Sequence, residues 1–426
     1  MMTGLVVVIF ILGYIAIAAE HKIRIDKAAT ALVTGVFCWL IYFFYAPSIA
    51  ESEGELIHHL GEISAILFFL LGAMTIVEVV DSHNGFDLIT GSIHTQSKPK
   101  LLILITLITF FLSAILDNLT TAIVMTSLCG KLLHNKNDRL WFVSMVIIAA
   151  NAGGAWSPLG DVTTTMLWIG GQITPLNIIA KTILPSLVVA LVPLLILTTK
   201  FKNQKIESKD EQKNKHPKES NILLFTGTGL LVFVPVFKTV THMPPFMGML
   251  LALGIIWFVS SIIHHGKHPE ERYKYSVTNA LRKIDTSSIL FFLGILLAVS
   301  ALQSFGVLGQ LAELTVKHIK NEYITGTLLG IFSAIIDNVP LVAAAQGMFS
   351  LDMFPTDHVF WEFIALSAGT GGSAIIIGSA AGVAVMGIEK IDFFWYLKNI
   401  SWLALLGFFA GLATYILQQW ATTIRV

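Results

Sequence analysis

The stretch SAILDN at residues 113–118 returns as SAIIDN at residues 333–338, and this repetition decides how the chain is organised. Two further matches flank it in the same order. ILFFL occurs at residues 66–70 and 289–293, and a glycine-rich break at Gly153, Gly154 and Gly160 returns at Gly371, Gly372 and Gly378. Three matches in one order at nearly one spacing indicate a duplication of about 220 residues.

The composition excludes a soluble globular protein. The chain has 426 residues, of which 55% are hydrophobic and 13% charged, whereas soluble chains carry roughly 25% charged residues. Runs such as residues 28–45, 178–197 and 244–263 are long enough and nearly free enough of charge to cross the bilayer as helices. Basic and acidic residues balance at 27 each, so nothing indicates a nucleic-acid partner. We therefore predict an all-α polytopic protein whose partner is the lipid bilayer.

Each half of the chain divides in the same way. Crossings are expected near residues 3–19, 28–48, 63–80, 140–169 and 178–199, and again near 222–239, 245–264, 287–303, 359–387 and 397–419. The remaining apolar segments, 101–133 and 323–349, each turn at an Asp-Asn pair, which predicts a re-entrant hairpin. Because five crossings is an odd number, the second half must be upside down relative to the first.

The predicted fold is thus two inverted-topology repeats, residues 1–200 and 221–426, joined by a cytoplasmic linker at 201–220. Each repeat has five transmembrane helices and one re-entrant hairpin, and the helices at 140–169 and 359–387 are broken. With both termini outside, this topology puts the lysines and arginines in the cytoplasm except for Lys181, Lys238, Lys317, Lys320 and Arg425. That asymmetry follows the positive-inside rule for a protein of the inner (plasma) membrane.

Acidic residues inside the membrane are the candidate functional residues. An ionised carboxylate there costs at least roughly 2.5 kcal/mol. Asp117 and Asp337 lie at the hairpin tips, and each has a serine four residues before it and an asparagine after it, namely Ser113 and Asn118, and Ser333 and Asn338. Carboxylate, amide and hydroxyl oxygens of this kind bind hard monovalent cations. The alternative is a structural cap at a helix start, but repetition at both tips favours function.

The glycine-rich segment at residues 151–165 adds four candidates: Asn151, Asp161, Thr163 and Thr164. A continuous helix is unfavourable there, and broken backbone at membrane depth has to line a cavity or be buried in protein. The second half has Ser379 where the first has Asp161, which predicts a stronger cation site in the first half. Glu62 and Asp285, each four residues before ILFFL, are second-tier candidates as entry carboxylates on the two sides of the membrane.

The motifs SAILDNLTT, NAGGAWSPLGDVTTTML and SAIIDNVPLVAAAQGM resemble those of the NhaD-type sodium/proton antiporters of the ion transporter superfamily. The resemblance covers nearly the whole chain. It implies a secondary transporter, not an enzyme, that exchanges Na⁺ or Li⁺ for H⁺ without a cofactor. It also implies a homodimer, for which the residues themselves carry no signal. The functional polar set would be Ser113, Asp117, Asn118, Asn151, Asp161, Thr163, Thr164, Ser333, Asp337 and Asn338.

Two other functions remain open from the residues. A sodium-coupled carrier of a dicarboxylate or another anion is disfavoured because basic residues inside the membrane are sparse. An intramembrane aspartyl protease would use two of the carboxylates, but Pro158 stands where a GxGD motif needs glycine. The cytoplasmic histidines His264, His265 and His268 could sense pH or bind a metal, although solvated side chains are the simpler expectation.

Overall fold

The computed structural model describes residues 2–18, 23–86, 95–205, 217–319, 321–334 and 338–423. These residues form twenty helices and no strand. In the first half they are α1 (Met2–Ala18), α2 (Lys27–Tyr45), α3 (Ile49–Ser82), α4 (Lys98–Leu116), α5 (Asn118–Leu132), α6 (Lys136–Gly154), α7 (Val162–Ile169) and α8 (Pro175–Lys200). In the second they are α9 (Pro217–Thr241), α10 (Pro245–Ile263), α11 (Pro269–Lys274), α12 (Val277–Lys283), α13 (Thr286–Ser304), α14 (Val307–His318), α15 (Glu322–Ser333), α16 (Asn338–Met348), α17 (Val359–Gly371), α18 (Ala380–Glu389), α19 (Phe393–Asn399) and α20 (Ser401–Thr423).

Eight of the described helices are long and apolar enough to span a membrane. Seven of them, α2, α3, α8, α9, α10, α13 and α20, overlap predicted crossings, although α3 begins at Ile49, well before the expected start at residue 63. The eighth is α4, the first arm of the predicted hairpin at 101–133. Its 19 residues are also enough for a complete crossing. Helix length therefore does not distinguish a re-entrant arm from a transmembrane helix. The remaining predicted crossings are the 17-residue α1 and the two broken segments. Three of their pieces, α7, α17 and α18, have 8, 13 and 10 residues and are shorter than a span. The fourth, α6, has 19 residues but is not among the helices that are both long and apolar enough.

Side-chain burial agrees with a lipid environment. Large apolar side chains such as Phe44, Phe225, Phe258 and Trp420 are at least 66% exposed, and extensive exposure of this kind is favourable where the surroundings are themselves apolar. The multi-pass membrane protein expected from the composition is therefore supported by both helix length and surface character.

Glycines allow the buried helices to approach one another closely. A Cβ built on Gly294 of α13 would lie 2.4 Å from the Ala31 carbonyl carbon of α2, and one on Gly407 of α20 would lie 2.3 Å from the Val189 oxygen of α8. Helices in lipid associate through small residues of this kind because van der Waals packing must replace the hydrophobic effect. These contacts fix the helices that surround the interrupted segments.

Candidate ion site

The first glycine-rich segment is interrupted as predicted. Helix α6 ends at Gly154, and α7 begins at Val162 after a turn that contains Pro158 and Gly160. Asp161 is the N-cap residue of α7, and its carboxylate accepts a hydrogen bond from the Thr163 amide at 3.2 Å. Only 2% of the Asp161 side chain is exposed. The break thus holds a buried acid at the positive end of a short helix.

The second glycine-rich segment has the same construction with different chemistry. Helix α17 ends at Gly371, α18 begins at Ala380, and Ser379 caps α18 by accepting a hydrogen bond from the Gly382 amide at 3.2 Å. A hydroxyl therefore occupies the capping position that a carboxylate occupies in the first segment. This difference agrees with the unequal halves that the sequence predicts.

Equivalent residues of the two halves make equivalent contacts. The Ser113 hydroxyl donates to the Ala150 carbonyl at 2.6 Å, and the Ser333 hydroxyl donates to the Ala368 carbonyl at 3.0 Å. The glycines repeat the pattern: a Cβ on Gly153 would lie 2.2 Å from the Phe110 oxygen, and one on Gly371 would lie 2.0 Å from the Gly330 oxygen. Each interrupted helix is therefore packed against the first arm of its own hairpin segment.

A buried amide and hydroxyl cluster joins the first hairpin tip to the second break. Asn118 donates to the side-chain oxygen of Asn151 at 3.1 Å, and Asn151 donates in turn to the hydroxyls of Ser373 and Ser379, at 2.9 Å each. All four side chains are at least 95% buried. Asn151 thus bridges the two halves of the chain.

The second arm of the predicted hairpin at 323–349 meets the first break at Asp161. Asn338, the first residue of α16, donates to a carboxylate oxygen of Asp161 at 3.2 Å. A Cβ built on Gly369 of α17 would lie 3.3 Å from the other half's Asp161 carboxylate. Gly369 is the counterpart of Asn151 in the duplicated sequence. The Asp161 carboxylate therefore lies beside a glycine, whereas the equivalent Ser379 hydroxyl lies beside the Asn151 amide. A Cβ on Gly369 would also lie 3.1 Å from the Ala155 Cβ, so the glycine allows α17 to pack closely against the first break.

Two buried threonine hydroxyls follow Asp161. Thr163 and Thr164 are fully buried, and within the described residues neither hydroxyl has a hydrogen-bond partner. A buried hydroxyl without a partner is costly, and such groups are often those that bind a ligand. Carboxylate and hydroxyl oxygens are also the donors that hard cations prefer. These residues therefore fit a small cation as the substrate.

The other predicted site residues have different surroundings. Asp117 caps α5, because its carboxylate accepts hydrogen bonds from the amide and the hydroxyl of Thr120 at 2.8 Å, and its φ of 86° is a conformation that few non-glycine residues adopt. The capping function weighed for the hairpin tips is thus present at Asp117. Asp337 lies outside the described residues. Ser113 and Ser333 donate their hydroxyls to backbone carbonyls, and so they hold α4 against α6 and α15 against α17.

The second-tier acids lie away from this cluster. Glu62 is exposed on α3, where it contacts His59 at 3.5 Å. Asp285 is exposed and caps α13 by accepting a hydrogen bond from the Ser288 amide at 3.0 Å. They lie towards opposite ends of the antiparallel helices α3 and α13, as entry positions would require.

Sequence reasoning missed Ser373 and Gly369 as neighbours of the site. Ser373 corresponds to Ala155 in the first half. A hydroxyl that appears in only one copy of the repeat could have marked Ser373 as a candidate site residue. The expectation of solvated histidines was also wrong for His264, which is 2% exposed and lies 2.7 Å from His83, whereas His265 and His268 are exposed.

Comparison with known proteins identifies the chain's relatives. The sequence model of the citrate transporter family matches residues 5–367. The chain is 48% identical to sodium/proton antiporter 1 of Arabidopsis thaliana, over 96% of this chain and 71% of that protein. It is 44% identical to sodium/proton antiporter 2 of the same plant, over 96% and 98% of the two chains. It is 28% identical to the Na⁺/H⁺ antiporter NhaD of Alkalimonas amylolytica, over 96% and 89%.

These matches confirm the resemblance drawn from the hairpin and glycine-rich motifs, and they exclude the reading of the chain as a protease. The chain therefore belongs to the citrate transporter family and is a homologue of these sodium/proton antiporters.

Proposed function

We propose that this protein exchanges Na⁺, and also Li⁺, for H⁺ across the plasma membrane, with Asp161 as the central carboxylate. The observation that carries the proposal is the surroundings of Asp161: a buried acid beside the Asn338 amide and the Thr163 and Thr164 hydroxyls, at a junction of the two halves. Its homologues are named as sodium/proton antiporters, which supports the same exchange.

The cation ligands would come mainly from the first half. Asp161 supplies charge, Thr163 and Thr164 supply hydroxyl oxygens, and the remaining ligands come from the hairpin tips. In this proposal Asp117 and Asp337 contribute charge at the two tips. Asn118, Asn151 and Asn338 fix the geometry, while Ser113 and Ser333 hold the hairpins against the broken helices.

Competition at one carboxylate is sufficient for exchange. Asp161 in the ionised form can bind Na⁺, and in the protonated form it carries H⁺, so occupancy by one excludes the other. If the empty, ionised site rarely changes the side of the membrane that it faces, the two ions have to cross in opposite directions. The membrane potential then biases any cycle in which the numbers of Na⁺ and H⁺ differ.

The proposal includes the inverted architecture with both termini outside and residues 201–220 as the linker. The matched contacts of Ser113 with Ala150 and of Ser333 with Ala368 support a structural duplication. The odd number of crossings and the basic residues support the inversion. A cysteine introduced in the lysine-rich linker should react only with reagents that reach the cytoplasm.

We also expect a homodimer, which light scattering of the purified protein would test.

The test of function uses everted membrane vesicles and a fluorescent indicator of the proton gradient. Asp161→Asn keeps the shape of the side chain but removes the ionisable group, so Na⁺-dependent dissipation of the gradient should be lost while the protein remains in the membrane. Asp352→Asn, in an exposed turn, is the matched control and should keep full exchange. Full exchange in Asp161→Asn would refute the proposed site.

Anion transport is the alternative, because the family to which the chain belongs is named for citrate transport. The helix N-termini at the breaks would attract an anion, but the Asp161 carboxylate beside them would repel it. Lys238, half-buried near α7, is engaged with the Trp168 carbonyl at 3.1 Å. Sodium-dependent uptake of labelled citrate by vesicles, abolished by Asp161→Asn, would favour the anion carrier.

A further inference from the structure

A cavity of about 490 Å³ lies beside the helices that hold the ion-site residues. One wall comes from α3, α10 and α13, and the other from the later parts of α7 and α16. Its polar lining residues are His59, Glu62, Gln172, Ser300, Gln303 and Gln346. We call this cavity the outer vestibule, because it lies at the helix ends that carry few lysines and arginines.

The outer vestibule is close to the ion site along two shared helices. Helix α7 begins beside Asp161 and reaches the vestibule at Met166, while α16 begins at Asn338 and reaches it at Ala343. At a rise of 1.5 Å per residue, each interval of five residues is about 7.5 Å. The two helices that hold the ion-site residues at their N-terminal ends therefore form one wall of the vestibule.

A side-chain amide connects these two helices at the vestibule. The Gln346 amide nitrogen donates to the Met166 carbonyl at 3.1 Å and lies 2.8 Å from the amide of Gln172. A Cβ built on Gly170 would lie 2.7 Å from the same nitrogen, so the amide is tightly packed. Gln346 thus holds α16 against α7 in the wall of the vestibule.

The rim and walls of the outer vestibule suit a hydrated cation. The Glu62 carboxylate at the rim lies 3.5 Å from a ring nitrogen of His59, and Glu55 lies 3.7 Å from the other ring nitrogen. Acidic residues at a cleft raise the local concentration of cations. The volume has room for on the order of ten waters, and Ser300 and Gln303 provide polar walls.

We propose that the outer vestibule is the route by which the cation reaches the ion site from the membrane face that is poor in basic residues. Gln346 is a positioning residue in the wall of this route, where it limits passage between α7 and α16 by tying the two helices together. The proposal rests on the proposed cation exchange and adds to it a route and a barrier.

Cysteine labelling tests the route. Ala343→Cys places a thiol in the vestibule, and a positively charged, membrane-impermeant methanethiosulfonate applied from outside should label it and reduce exchange at least tenfold. The two native cysteines, Cys38 and Cys129, are fully buried, so the parent protein gives the background. Met353→Cys, in an exposed turn, is the matched control, which should be labelled without loss of exchange. Absence of labelling at Ala343→Cys, or labelling with full exchange, would overturn the route.

A second labelling experiment tests the barrier. Thr164→Cys, in the ion site, should react slowly with the same reagent, and Gln346→Glu should accelerate the reaction at least tenfold. Glutamate keeps the shape of glutamine but presents an oxygen to the Met166 carbonyl in place of the donor. Gln346→Ala gives an independent measurement if Gln346→Glu is poorly produced. Equal labelling rates with and without these changes would contradict the assigned barrier.

The labelling rates do not depend on which ion is carried. Failure of the sodium/proton exchange would therefore appear in the flux measurements with Asp161→Asn, whereas failure of the route or barrier would appear in the labelling.

Discussion

Gly153→Ala is the change that most sharply tests how the site is held in place. The added Cβ would lie 2.2 Å from the Phe110 carbonyl oxygen, and ordinary contact begins at 3.4 Å, so α4 and α6 have to separate by about 1 Å. The nearby hydrogen bond from Ser113 to the Ala150 carbonyl, 2.6 Å long, would then exceed the limit for a hydrogen bond.

The expected loss follows from these contacts. Overpacking costs about 1–3 kcal/mol and the lost hydrogen bond about 1 kcal/mol, while the better helix propensity of alanine returns about 1 kcal/mol. The net decrease in the free energy of unfolding is therefore about 1–3 kcal/mol. For a chain of this length that lowers the Tm by roughly 1–3 °C. Because Asn151 lies two residues away, exchange should fall by on the order of tenfold or more.

Thermal unfolding followed by tryptophan fluorescence measures the stability, and vesicle flux measures the exchange. Gly254→Ala is the matched control, because a Cβ on Gly254 of α10 would meet nothing within 4 Å. It should leave Tm unchanged or slightly raised and exchange intact. A Gly153→Ala protein as stable and as active as Gly254→Ala would refute the close packing of α4 against α6.

Three further outcomes are expected. Thr163→Val or Thr164→Val should raise the KM for Na⁺ in flux assays about tenfold, which corresponds to a loss of roughly 1.4 kcal/mol of binding free energy. Thr164→Ser keeps the hydroxyl and should have a KM near that of the parent. An unchanged KM in both valine variants would show that these hydroxyls do not bind the cation. Burial lowers the pKa of His264 from 6.5 to about 4, so between those values the unfolded chain binds the proton and the folded one does not. Stability should therefore fall as the pH is lowered through this window, and His264→Asn should flatten the dependence of Tm on pH; an equally steep curve would contradict this. Arg139 and Glu389 form a largely buried ion pair with a 2.7 Å contact. Arg139→Gln or Glu389→Gln alone should therefore lower the free energy of unfolding by roughly 3 kcal/mol. The double variant should lose less than the sum of the two single losses, and additive losses would contradict the ion pair.

The sequence predicts most of what is local in this fold. Glycine and proline at residues 153–160 make a continuous helix unfavourable, and the chain indeed breaks between Gly154 and Val162. Asp161 is recognisable because a carboxylate in such a segment demands compensation. The close approach of Asn118 to Asn151 is also what the polar tip and the break would lead one to expect.

Contacts between the halves could not be predicted in the same way. The hydrogen bonds from Asn151 to Ser373 and Ser379 join residues more than 200 positions apart, and their pairing depends on how the two helix bundles pack. The direction of the Asp117 side chain depends on a backbone φ of 86°, which hydrophobic pattern does not encode. Likewise, burial of His264 depends on contact with His83, which is 181 positions away in the sequence.

Proton release on Na⁺ binding tests most directly the claim that both ions compete for one buried carboxylate. Purified protein in weakly buffered detergent solution, near the pH at which the site is half protonated, should release protons when NaCl is added and none when choline chloride is added. Asp161→Asn should release none with either salt, while Asp352→Asn should behave as the parent. Undiminished sodium-dependent proton release from Asp161→Asn would contradict the account.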